Sequence, residues 1–170
     1  LRTSPNFVLE TSNSITITAD ASKGNKALFN FSGDVYVHLG LITSTSANSS
    51  AWQYVPSFSV WTGTDPRIKA TSLGNNLWSF TITGGLRSYF GVTNASEKIY
   101  KIAILFRNSS GTKLTNEDGS DMFVNVYDNQ FYTKIDTPLS QPLYVPQFET
   151  IKKKLGDTLF VNAKSTENAT

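Results

Sequence analysis

Asp34–Ile42 reads Asp-Val-Tyr-Val-His-Leu-Gly-Leu-Ile. Val35, Val37 and Leu39 fall on one side of an extended chain, and Tyr36, His38 and Gly40 on the other, which is the period-two pattern of a β-strand. Four more stretches repeat the pattern. Ser14–Ala19 places Ile15 and Ile17 together. Asn76–Ile82 aligns Trp78, Phe80 and Ile82, so Trp78 is expected in the core. Lys98–Arg107 sets Ile102, Ile104 and Phe106 against Ala103 and Leu105. Asp121–Tyr127 aligns Met122, Val124 and Val126. Weaker strands are predicted at Gln53–Val55, Phe58–Trp61 and Arg67–Thr71.

Turn-forming residues separate these runs: Gly24-Asn25, Ser32-Gly33-Asp34, Gly74-Asn75-Asn76, Gly84-Gly85, Ser110-Gly111 and Asp118-Gly119. Glycine, Asn and Asp tolerate positive φ and close tight turns. No amphipathic helix is predicted before residue 145. Short alternating strands with regular turn signals predict an all-β sandwich.

Composition agrees with this reading. Only 16% of the 170 residues are charged. Ser, Thr and Asn take their place, and these side chains compete with the helix backbone for hydrogen bonds. A chain of this length buries about 70% of its unfolded surface, enough to fold without a metal or disulfide. The net charge of +2 is too small to point to a nucleic acid. Lys152-Lys153-Lys154 reads as a solvated face. There is no cysteine, hence no disulfide framework or thiolate metal site. No stretch approaches the roughly 18 apolar residues of a membrane span. The chain opens on Leu1 with no leader, which reads as the start of a mature protein or a trimmed chain.

The pattern changes near Pro138. Residues 138–146 hold three of the six prolines and read as a stiff, extended linker, assigned to 138–147. The sandwich is then expected over 1–137. Residues 148–170, with Leu159-Phe160-Val161 after Gly156-Asp157-Thr158, read either as an extra strand or as the truncated start of a following β-domain, the latter favoured.

Catalytic patterns are sparse. His38 is the single histidine, and no G-x-S-x-G elbow accompanies it. One His without Cys makes no zinc site. Asn116-Glu-Asp-Gly-Ser-Asp121 departs from the calcium-loop pattern and reads as a polar hairpin loop. No cofactor is called for, and no catalytic function is expected of this chain. Five N-x-S/T sequons, at Asn30, Asn48, Asn94, Asn108 and Asn168, carry little weight in so Asn- and Ser-rich a chain.

The aromatics are more informative: three Trp, seven Tyr and eleven Phe. Trp52 follows the polar run Thr43–Ala51, and Trp61 precedes Thr-Gly-Thr-Asp-Pro66. Aromatic rings at loop edges offer flat apolar faces, on which the C–H face of a sugar stacks; equally, both tryptophans could simply cap the sandwich.

The order Asp34-Val-Tyr-Val-His-Leu-Gly-Leu-Ile-Thr43, Trp52-Gln-Tyr-Val55, Lys69–Ile82, Lys101–Gly111 and Asp118–Val126 resembles starch-binding modules of carbohydrate-binding families 25 and 26. The likeness spans roughly residues 5–130 and is a pattern of strands and aromatic positions. It implies an immunoglobulin-like antiparallel β-sandwich, a non-catalytic module that binds α-glucan, a starch-like polysaccharide, ahead of further domains of a secreted or bacterial cell-surface glycoside hydrolase. It also implies an aromatic platform of His38 and Trp52, with Trp61 nearby and polar partners from Asn116, Asp118 and Asp121. The Trp-containing string usual before the last strand is absent; the chain reads Thr112-Lys-Leu-Thr-Asn-Glu-Asp118 there. The competing expectation is a structural immunoglobulin-like spacer or interaction domain that binds no glycan.

Overall fold

The computed structural model describes residues 1–137 and 154–166. Alternating apolar residues produce strands where the sequence predicts them: β3 (Ser14–Asp20), β4 (Tyr36–Thr43), β6 (Leu77–Thr83), β7 (Ile99–Arg107) and β9 (Met122–Tyr127). Shorter strands fill in around them: β1 (Arg2–Ser4), β2 (Val8–Leu9), β5 (Thr71–Gly74), β8 (Lys113–Leu114), β10 (Thr133–Thr137) and β11 (Asn162–Ser165).

The chain contacts divide into two units, Leu1–Asp128 and Asn129–Thr170. The first is an all-β sandwich. One sheet has the order β1-β3-β6-β5. The other runs β2-β9-β7-β4, with β8 added on β7. All pairings are antiparallel except β2 with β9. Ile15 and Ile17, with Trp78, Phe80 and Ile82, come from the first sheet. Val37, Leu39 and Leu41, with Ile102, Ile104 and Phe106, come from the second, and Met122 and Val124 join them in one continuous core. Each such side chain, fully removed from water, contributes about 1.5–3 kcal/mol.

Strand β4 lies at one end of its sheet. Its free edge is occupied at two points. Gln53 bridges Leu41 through two N–H···O bonds of 2.8 Å, and Lys69 bridges Tyr36.

Three weaker strand predictions do not hold. Gln53 forms only that single bridge. Phe58–Trp61 is a pair of turns, closed by Ser59 N–H on Pro56 and Gly63 N–H on Val60. Pro66–Ile68 is a 3-10 turn whose Asp65 cap accepts from Arg67 N–H, and the next strand begins at Thr71. Pro56, Gly63 and Pro66 punctuate the segment, and proline supplies no donor to a ladder. A five-residue helix, α1 (Leu86–Phe90), was not predicted. Its buried Leu86 and Phe90 stand one turn apart, a single i, i+4 pair too short to register as periodicity.

In the second unit β10 pairs with β11. The boundary falls before β10 rather than after residue 137. Leu159, Phe160 and Val161 are exposed and precede the strand, which starts at Asn162. The proline-rich linker assigned to 138–147 lies outside the described residues. No described helix is long and apolar enough to cross a membrane.

Candidate functional site

The pairing register defines the outward face of the five-stranded sheet. Tyr36, His38, Gly40 and Ile42 of β4 stand opposite Arg107, Leu105, Ala103 and Lys101 of β7. Phe123 of β9 is next in the Gly40–Ala103 row. Gly40 and Ala103 leave a shallow strip between larger neighbours. The Gln53–Leu41 bridge delivers Trp52 onto it: a Cβ added at Gly40 would meet Trp52 Cε3 at 3.4 Å and the Gln53 carbonyl at 3.0 Å.

Four rings meet there. His38 and Trp52 stack at 5.6 Å between centroids and 22° between planes. Trp61 meets His38 edge-on at 5.2 Å and 85°. Phe123 meets Trp52 edge-on at 6.4 Å. Two ammonium groups flank the cluster: Lys101 lies 5.4 Å from the Phe123 centroid and Lys113 5.8 Å from that of Trp61. Trp61 is 37% exposed; Trp52 is half-buried, and its indole N–H is buried without an acceptor among the described residues. Such a donor costs about 1–3 kcal/mol.

The protonation of His38 follows from its partners. Its Nδ1 lies 2.8 Å from the Ser59 carbonyl, an acceptor only, so Nδ1 carries the proton. Burial, aided by Arg107, lowers the imidazole pKa below its ordinary value, against the opposing pull of the Ser59 carbonyl and Asp121. The ring is therefore neutral at pH 7, with Nε2 an acceptor that no hydrogen bond from the described residues reaches.

His38, Trp52 and Trp61 are thus brought together. The Asn116–Asp121 loop is arranged differently. Asn116 is buried and its amide donates inward, to Ser120 Oγ at 3.1 Å and the Asp121 carbonyl at 2.7 Å, so it braces its own loop. Asp118 accepts from the Ser120 hydroxyl at 2.6 Å and the Ser120 N–H at 2.9 Å; these bonds hold its carboxyl below the usual carboxylate pKa. Asp121 lies 3.6 Å from Lys113, the cation beside Trp61. Only Asp121 of the three is linked to the ring cluster. Trp78 is a core residue, 6% exposed.

Phe123 is the ring that sequence reasoning missed, although its place between inward-facing Met122 and Val124 was the signal for an outward side chain. Two open cavities of about 470 and 360 Å³ lie elsewhere, on the other sheet around Phe31 and Trp78, and none of the six expected residues lines either. Among the described residues, no three His, Asp or Glu side chains gather as a metal would need. No protein-family model matches the chain, and no curated protein matches it.

Proposed function

We propose that this chain is a non-catalytic α-glucan-binding module, an accessory part of a larger secreted or cell-surface glycoside hydrolase. The observation that carries this reading is the joining of His38, Trp52, Trp61 and Phe123 on one outward sheet face. Trp61 offers accessible ring surface to the apolar side of a pyranose. Polar groups suited to hydroxyls surround it: the acceptor Nε2 of His38, the Lys113 ammonium and the Asp121 carboxylate. A shallow site buries little area, so a single module binds with Kd on the order of 10⁻⁵ to 10⁻³ M. Useful retention on a polymer then comes from several sites acting together.

Affinity electrophoresis in gels with and without soluble starch tests this. Starch should retard the wild-type chain, and Trp61→Ala should abolish the retardation. No retardation on starch, glycogen or pullulan overturns it.

One observation favours the spacer reading. Trp52 and His38 spend a face of each ring on one another, and the Trp52 N–H is buried, as expected of a cap on the sheet. On that reading Trp52→Ala lowers the melting temperature while no glucan retards either protein.

A further inference from the structure

Among the described residues, two charged side chains are buried: Glu97, 4% exposed, and Arg107, 0% exposed. Arg107 is the last residue of β7, and Glu97 lies two residues before its start, closing a turn on the Asn94 carbonyl. Neither makes a side-chain ion pair with another described residue. An unpaired buried charge costs several kcal/mol unless hydrogen bonds replace its water. Where those bonds go is informative.

Glu97 takes hydroxyls from both ends of the segment that delivers Trp52. Thr43 Oγ1 lies 2.5 Å and Thr45 Oγ1 2.7 Å from Oε1, and the Tyr54 hydroxyl donates to Oε2 at 2.6 Å. These are lengths of charge-assisted bonds. Gln53 Nε2 also donates to the Thr45 carbonyl at 2.9 Å, which narrows the same neck. Tyr54 has φ of 54°, a left-handed conformation uncommon for a bulky side chain. Its phenol bond to Glu97 holds the backbone in that turn, two residues beyond Trp52.

Arg107 does the corresponding work for Trp61. Its Nη2 donates to the Val60 carbonyl at 2.8 Å and the Gly63 carbonyl at 2.7 Å, the two ends of the turn that contains Trp61. Its Nη1 donates to the Asn108 carbonyl at 3.1 Å. Asn108 opens the turn closed by Gly111, and a Cβ at Gly111 (φ +85°) would stand 3.0 Å from Trp61 Nε1. One guanidinium therefore ties together the two turns that flank the indole. The Tyr36 ring lies 5.6 Å from the guanidinium carbon. A lysine ammonium is a point charge and lacks the fork that spans several carbonyls.

We propose that Glu97 and Arg107 are positioning residues, Glu97 for the Trp52 segment and Arg107 for the Trp61 turn, so that the spacing of the platform is set from the turn before β7 and from the last residue of that strand. The assignment to ligand binding rests on the α-glucan reading above; the assignment to loop geometry does not. An apolar side chain at either site would cover the strand end without a desolvated charge. What the charges add is direction, because each fixes named groups beside one tryptophan, hydroxyls for Glu97 and backbone carbonyls for Arg107.

The chain has three tryptophans, so the full protein labelled with 5-fluorotryptophan gives three fluorine resonances, assigned by single Trp→Phe variants. In Arg107→Lys the Trp61 resonance should shift or broaden while those of Trp52 and Trp78 hold. In Tyr54→Phe, and more strongly in Glu97→Gln, the Trp52 resonance should move and the other two hold. Starch affinity should fall about tenfold in Arg107→Lys and Glu97→Gln. Trp78, in the core between the sheets, reports whether the sandwich is intact. An unmoved Trp61 line in Arg107→Lys together with an unmoved Trp52 line in Tyr54→Phe overturns the proposal. So does a joint displacement of all three lines, which makes these charges general supports of the fold. Selective line movement with unchanged starch affinity overturns the role in binding. A wild-type chain that binds no α-glucan defeats the functional reading and leaves the resonance pattern to decide the loop assignments.

Discussion

The two sheets of the sandwich share one core and differ on their outward faces. On β3 and β6 the outward positions are hydroxyl-bearing: Thr16, Thr18, Ser79, Thr81 and Thr83 are exposed or half-buried, and Thr16 and Thr81 hydroxyls meet at 2.9 Å. This is an antiparallel sheet wet on one side. On β4 and β7 the outward positions Tyr36, Ile42, Ala103, Leu105 and Arg107 are buried, at 6% exposure or less, and His38 and Lys101 are half-buried. The chain between β4 and β5 folds over them and brings Trp52 and Trp61 to the strand residues His38 and Phe123. Alternating burial marks a sheet face open to water; burial at most outward positions marks one that carries a further layer, and the candidate site is built in that layer.

The most forceful way to break this comparison is a matched pair of substitutions at outward positions. Leu105→Ala should cost about 2–5 kcal/mol, the range for a buried leucine, whereas Thr81→Ala should stay within about 0.5 kcal/mol. Urea unfolding of both reads the difference, and equal small losses would remove the second layer. Next in size is Gly40→Ala. Its Cβ would stand 3.0 Å from the Gln53 carbonyl and the Val55 Cγ2, so the covering segment has to give by a few tenths of an ångström, at about 1–3 kcal/mol. Starch retardation should disappear with it; an unperturbed Gly40→Ala variant would mean that Trp52 does not lie against the strand.

A pH series sharpens the same contrast, because the single histidine belongs to the covered face. Its folded-state pKa is lowered from 6.5. Between that lowered value and 6.5 the unfolded chain binds more protons than the folded one, so unfolding free energy falls as pH is lowered through this window. The stabilisation is complete above pH 6.5. His38→Gln should flatten the pH dependence there, as followed by urea midpoints. The smallest effect is expected at the rim. Asp121→Asn removes a partly exposed pair 3.6 Å from Lys113, so the loss should be under about 0.5 kcal/mol and vanish in about 1 M salt.

The strands that frame the core were legible because period-two patterning needs only the order of apolar residues. Val37, Leu39 and Leu41 face inward where alternation places them, and the run Ile102–Phe106, apolar at every position, already carried the sign of a sheet covered on both faces. The rings of the site were legible as residue types in suggestive places. Their meeting was not, since it depends on the Gln53–Leu41 bridge, which joins a loop to a strand edge and has no periodicity. Asn116 illustrates the opposite error: a polar side chain in a loop reads as available, yet its amide is consumed inside its own turn. Glu97 and Arg107 could not be singled out, because burial of a charge is decided by whether a distant loop brings carbonyls or hydroxyls to it.

The bridge at Gln53 has a second consequence. An uncovered terminal strand presents a row of free amides and carbonyls to any other extended chain, and natural sheets guard such rows against edge-to-edge association. The segment that presents Trp52 is also the guard on β4. Shortening it to remove the ring would unmask the row, so a chain trimmed in this way would become prone to pair edge to edge, and the ring cluster and the guard on the strand would be lost in one step.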